Sequence, residues 1–115
     1  MYLVMPHKLL GRRIVEKKYD ALARFLKVTP ATFKGEYDPK AAGRWLKEVM
    51  RTFRLVVVPE NFQVEFAAFL LRGSALELWE LQEEYYDTDN LTWNEFERLF
   101  RENYILEAHK HEMIS

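Results

Sequence analysis

Ser74, the His109 and His111 pair, and the acids from Glu83 to Asp89 are the side chains in this sequence with the means for chemistry. A serine nucleophile normally occupies a tight Gly-x-Ser-x-Gly turn. Ser74 stands instead in "RGSAL", with Glu77 following at capping-box spacing. In that pattern the hydroxyl accepts from a backbone N–H at a helix start. His109 and His111 are separated by one residue, so a helix would turn them to different faces and deny them a shared metal. Asp87, Asp89 and Asn90 open like a calcium loop. However, Thr92 then falls where the loop needs Gly, and Arg98 where it needs a bidentate Glu. Glu83, Glu84 and Asp87 read as a solvated acidic face. The chain has no Cys and no Gly-rich phosphate loop. The expectation is a protein with no catalytic residues, no metal and no cofactor.

Charge is the next source of chemistry. The chain of 115 residues carries a formal net charge of −1, but unevenly. Residues 1–28 hold seven basic side chains (Lys8, Arg12, Arg13, Lys17, Lys18, Arg24, Lys27) and two acids, Glu16 and Asp20. Of the 17 basic and 18 acidic residues in all, ten and sixteen are therefore left for the remainder. A basic arm precedes an acidic body. Arg12, Arg13, Lys17 and Lys18 are candidates for a weak, salt-sensitive RNA contact, with Tyr19 and Phe25 as bases' stacking partners. The plainer alternative is an amphipathic helix with a wet basic side.

The elements that must position these residues follow from periodicity and punctuation. Arg12 to Lys27 has a loose apolar stripe of Ile14, Val15, Leu22, Phe25 and Leu26, which predicts a helix. Pro30 and Gly35 break it, and Val28 to Tyr37 reads as an extended linker with Phe33 as its apolar anchor. Asp38 is the N-cap and Pro39 the first residue of the next helix. Its face is Ala42, Trp45, Leu46, Val49, Met50 and Phe53. "LVVVP" ends it. Pro59 opens a very apolar, central helix with Phe62, Phe66, Phe69 and Leu70 on one face and Gly73 as its stop. Ser74 then caps a helix whose apolar positions are Leu78, Trp79, Leu81, Tyr85 and Tyr86. Thr92 and Glu95 form a second capping box, with Leu91 and Phe96 as a hydrophobic staple. Trp93, Phe96, Leu99, Phe100 and Tyr104 make the last stripe. The fold class is all-α: a small orthogonal or antiparallel bundle of four core helices, preceded by a basic N-terminal helix and an extended linker. Trp45, Trp79 and Trp93 are expected to share one interior.

The length fits one domain. "MYLVMPHKLLGRR" lacks the pattern of a signal peptide, and no run reaches the ~18 apolar residues of a membrane span. The expected location is the cytoplasm, with no membrane partner.

Three runs in order, "FKGEYDPKAAGRWLKEVMRTF", "AAFLLRGSALELWE" and "LTWNEFERLFRENY", resemble the Gag capsid region of Gypsy-class long-terminal-repeat retrotransposons, most like the plant ones. The positions that carry the resemblance are Phe33, Gly35, Asp38, Pro39, Trp45, Leu46, Leu71, Gly73, Ala75, Trp79, Thr92, Trp93, Phe96, Phe100 and Tyr104. The first of the family's paired tryptophans is Leu78 here, and a proline usual after the last aromatic is Leu106. The resemblance implies one N-terminal capsid lobe over residues 29–105, with an arm at 1–28 and a tail at 106–115. It implies a structural part and not an enzyme, joining copies of itself or other Gag-like lobes through protein contacts. Two alternatives stay open: a domesticated adaptor that binds a short peptide or protein without building a shell, and RNA binding through the basic helix. By analogy with a related domesticated lobe, Val28 to Phe33 is expected to lie extended across a groove between the helices.

Overall fold

The fold comes from a computed structural model that describes the backbone of residues 7–106 and the side chains of residues 17–106. It is all-α. Five α-helices follow in order: α1 (His7–Lys27), α2 (Pro39–Leu55), α3 (Glu60–Phe69), α4 (Gly73–Tyr85) and α5 (Trp93–Arg101). A 3₁₀ turn at Thr88–Asn90 precedes α5, and a wide π-helical turn at Glu102–Leu106 follows it. The first helix starts at His7, five residues before the apolar stripe predicts.

Local chemistry sets two helix starts. Asp38 is extended, and its carboxylate accepts from the backbone N–H groups of Lys40 and Ala41 at 3.1 and 3.2 Å. Those donors have no partner inside the helix, so the cap supplies one. At α5 the box closes both ways: Glu95 N–H donates to Thr92 Oγ1, and Thr92 N–H donates to Glu95 Oε1, each at 3.2 Å.

The core is aromatic and crossed by the linker. Phe33 is 3% exposed. Its ring lies 5.3 Å from that of Trp45, 5.1 Å from Phe100 and 5.0 Å from Tyr104. Its backbone pairs in parallel with Leu71: Phe33 N–H donates to Leu70 O at 2.9 Å, and Arg72 N–H donates to Phe33 O at 2.8 Å. Trp45 Nε1 donates to Ala31 O at 2.7 Å. The linker is therefore a strap held by side chain and backbone alike from Ala31 to Phe33; before that, Val28 is exposed and Thr29 takes a left-handed φ of +46° with its N–H on Leu26 O, so the segment is not extended over its whole length. The three tryptophans are joined through phenylalanines. Trp45 meets Phe100, Phe100 meets Phe96, and Phe96 meets both Trp93 and Trp79. Trp45 and Trp93 are buried, while Trp79 is only partly so.

Four further expectations are corrected. Gly73 does not stop α3, which ends at Phe69; it is the first residue of α4. The pairing of Leu71 with the strap draws the chain out of the helix, and a φ of +55° at Gly73 turns it into the next one. Ser74 does not cap α4. Its N-cap position is extended Arg72, with no side-chain cap, and Ser74 Oγ instead donates to the strap carbonyl of Lys34 at 3.1 Å. Phe69, Leu81, Tyr85 and Tyr86 are apolar in pattern but exposed in place. Finally, Phe25 is fully buried between Phe53 and Phe66, which removes it as a base-stacking residue.

The turn after α2 stores strain. Val57 takes φ +54°, a left-handed conformation costly for a β-branched residue. Val58 N–H then closes back onto Phe53 O at 2.9 Å, the bond that usually accompanies glycine at this place. Arg24 of α1 steadies the turn, its guanidinium donating to Val56 O at 3.0 Å and Val57 O at 3.2 Å.

Two outcomes are expected in urea unfolding. Phe33→Ala should cost about 3–5 kcal/mol, because it deletes a ring from a filled site. A cost under about 1 kcal/mol would mean that the strap is not part of the core. Val57→Gly should raise stability by about 0.5–1 kcal/mol, since relief of the left-handed strain exceeds glycine's entropy cost. A loss would show that the valine side chain matters more than its backbone.

Candidate interaction site

The residues singled out from sequence fall into two places. The first is the crossing of the strap over the start of α4. Here Gly35, Gly73 and Ala75 come together. A side chain at Gly35, which has φ +90°, would meet Ser74 Oγ at 2.5 Å and Ala75 N at 2.9 Å. A side chain at Gly73 would meet Lys34 O at 3.2 Å. The two glycines are small because two backbones pass there. Ala75 is buried beneath them. Asp38 and Pro39 then launch α2 from the far end of the strap, and Leu46 is buried in its middle.

The second place is a cleft between α4 and the α5 end. Leu78, Trp79 and Gln82 line one side and Leu99, Phe100 and Asn103 the other, around about 40 Å³ of open space. Phe96 and Tyr104 complete it. Burial raises the Tyr104 phenol above the usual tyrosine range, and neighbouring Tyr37 adds to the effect. Above the cleft, α4 carries Leu81 and Tyr85 on its outer surface.

A wider hollow of about 720 Å³ lies between α1, α3 and the end of α4, with Lys18, Tyr19, Phe69, Glu83 and Asp89 on its walls. Lys18 spans part of it to reach Glu65 at 2.7 Å.

Of the basic set, two side chains, Lys17 and Lys18, belong to the described residues. Lys17 is exposed and Lys18 is committed to Glu65, while the side chains of Arg12 and Arg13 lie outside the described residues. His109 and His111 lie outside them as well. Asp87 accepts from Asn90 Nδ2 at 2.6 Å within the 3₁₀ turn. Among the described residues, no three His, Cys, Asp or Glu are grouped to hold a metal ion. No described helix is long and apolar enough to cross a membrane. Hydrogen bonding to the Thr92 hydroxyl, then to its N–H, holds the Glu95 carboxyl below the ordinary value, and Arg98 helps. Arg24 was not legible as a structural residue, because its acceptors are backbone carbonyls more than thirty residues away.

The structure is thus a small helical lobe with an inbound strap, an aromatic interior and several apolar residues turned outward, Leu81 and Tyr85 of α4 among them. The family model of the N-terminal capsid-like domain of retrotransposon-derived protein PEG10 matches residues 27–105. The chain belongs to that family, a retrotransposon-derived, Gag-like capsid domain with a structural role. No curated protein and no solved structure matches it.

Raising pH tests the cleft. The Tyr104 value is raised in the fold, so its contribution is fully present below the unfolded tyrosine value of about 10 and lost as pH rises through the folded one. Melting temperature should therefore fall less between pH 9 and pH 11 in Tyr104→Phe than in the unaltered chain. Identical slopes would mean that the phenol is solvated.

Proposed function

We propose that this chain is the N-terminal capsid lobe of a Gypsy-class, plant-like Gag protein and builds a shell by contacts with copies of itself. The observation that carries this is family membership over residues 27–105. The outward apolar residues of α4 support it, because a lone domain gains nothing from exposing Leu81 and Tyr85. On this reading residues 29–105 form the lobe, 1–28 an arm and 106–115 a tail, and the protein works in the cytoplasm as a structural part.

A second reading, a domesticated adaptor that binds a short peptide, is favoured by the cleft between α4 and α5, about 40 Å³ of space lined mainly by apolar side chains. RNA binding has less behind it: Phe25 is buried and Lys18 is paired.

Shells are made of many modest contacts, so self-association should be weak and cooperative in concentration. Sedimentation from micromolar to millimolar protein should show a rising average mass. A strict monomer throughout would contradict assembly and leave the adaptor.

A further inference from the structure

The outer side of α4 has two properties at once. It is apolar along one line: Leu78, Leu81 and Tyr85 recur at i, i+3 and i+7, with Leu81 49% and Tyr85 70% exposed. It is also acidic. Glu77, Glu80, Glu83 and Glu84 share the helix, Asp87 and Asp89 follow, and no Lys or Arg stands between Arg72 and Arg98. None of the four α4 glutamates enters an ion pair among the described residues. An apolar line edged by one sign of charge fits a helix that carries an apolar line edged by the other.

The first half of α1 carries charge of that other sign, interleaved with apolar residues. The first half of α1 holds Lys8, Arg12, Arg13 and Lys17 around Leu9, Leu10, Ile14 and Val15, with Glu16 as its sole acid. Among the described side chains of α1, those that enter the core are Ala21, Leu22 and Phe25, all in its second half.

We propose that the first half of α1 in one copy docks along the outer face of α4 in a second copy, next to the cleft between α4 and α5. The contact is head-to-tail: the surface that gives and the surface that receives are different. Such a contact leaves each pair with one free donor helix, on one copy, and one free acceptor face, on the other, so it propagates. This rests on the assembly reading above, and it names the surfaces that would carry it.

Charge reversal tests it. One variant reverses the arm (Lys8→Glu, Arg12→Glu, Arg13→Glu, Lys17→Glu). Another reverses the face (Glu77→Lys, Glu80→Lys, Glu84→Lys). A third keeps every charge and removes the apolar line (Leu81→Ser, Tyr85→Ser). Each is measured by sedimentation at low salt, with circular dichroism and tryptophan emission confirming the fold. Each variant alone should associate at least about tenfold more weakly than the unaltered chain. An equimolar mixture of arm-reversed and face-reversed chains should regain association, as should a chain carrying both reversals. Added salt should weaken the unaltered chain, since its charges are exposed.

Failure of the two readings looks different. An unaltered chain that stays monomeric at millimolar concentration removes assembly and this contact together. An unaltered chain that associates while the face-reversed or apolar-line variant is unchanged removes this contact alone. Loss of association on nuclease treatment would also overturn it, because RNA and not the α4 face would then be what the arm holds.

Discussion

The packing of Phe33 is the constraint on which the rest of the structure depends. Its ring touches Trp45 from α2, Phe100 from α5 and Tyr104 from the π-helical turn. Its backbone ties to the chain between α3 and α4. One residue outside any helix thus gives four parts of the chain a common reference. Helices of 9 to 17 residues, such as α2 to α5, are marginal alone. They persist because each lays an aromatic or aliphatic face against this interior. The close passage at Gly35 and Gly73 follows from the same need: the strap can reach the interior only where no side chain stands between it and the start of α4.

Filling the interior from within the chain decides what is left outside. The strap occupies the space between α2 and the end of α5, so the aromatic rings there are spent on folding. Arg24 and Lys18 tie the second half of α1 to the turn after α2 and to α3. Among the described residues the outer side of α4 receives no such cover, and Ala75 is the one residue of that helix that is fully buried. A helix held by so small a foot and by the half-buried Trp79 offers most of its surface to others.

Much of this was legible in the sequence, for identifiable reasons. The start of α2 at Asp38 and Pro39 and the Thr92–Glu95 box depend on residues three or four apart, and such signals survive any tertiary context. The face of α2 was legible because its apolar residues recur cleanly. The roles of Gly73 and Ser74 are not legible locally because they come from the strap: the partner of Ser74 lies 40 residues away. Phe69, Leu81 and Tyr85 read as apolar helix positions yet lie exposed, because periodicity marks an apolar line without telling whether anything covers it. Phe25 looked available because basic residues surround it in sequence. Helix geometry turns those charges outward and Phe25 onto Phe53 and Phe66. The value of Arg24 to the left-handed turn at Val57 could not be read at all, since a backbone acceptor leaves no mark on residue type.

Hydrogen exchange at two amides tests the central claim most directly. Phe33 N–H and Arg72 N–H are the two backbone donors that pair the strap at Phe33 with the chain between α3 and α4, bonding to Leu70 O and Phe33 O. If the strap belongs to the core, both amides exchange only when the whole domain unfolds, with the same opening free energy as core amides of α2. Exchange at either amide through a separate, low-energy opening would contradict the account, because the strap would then be a removable cover and the helices would hold together without it.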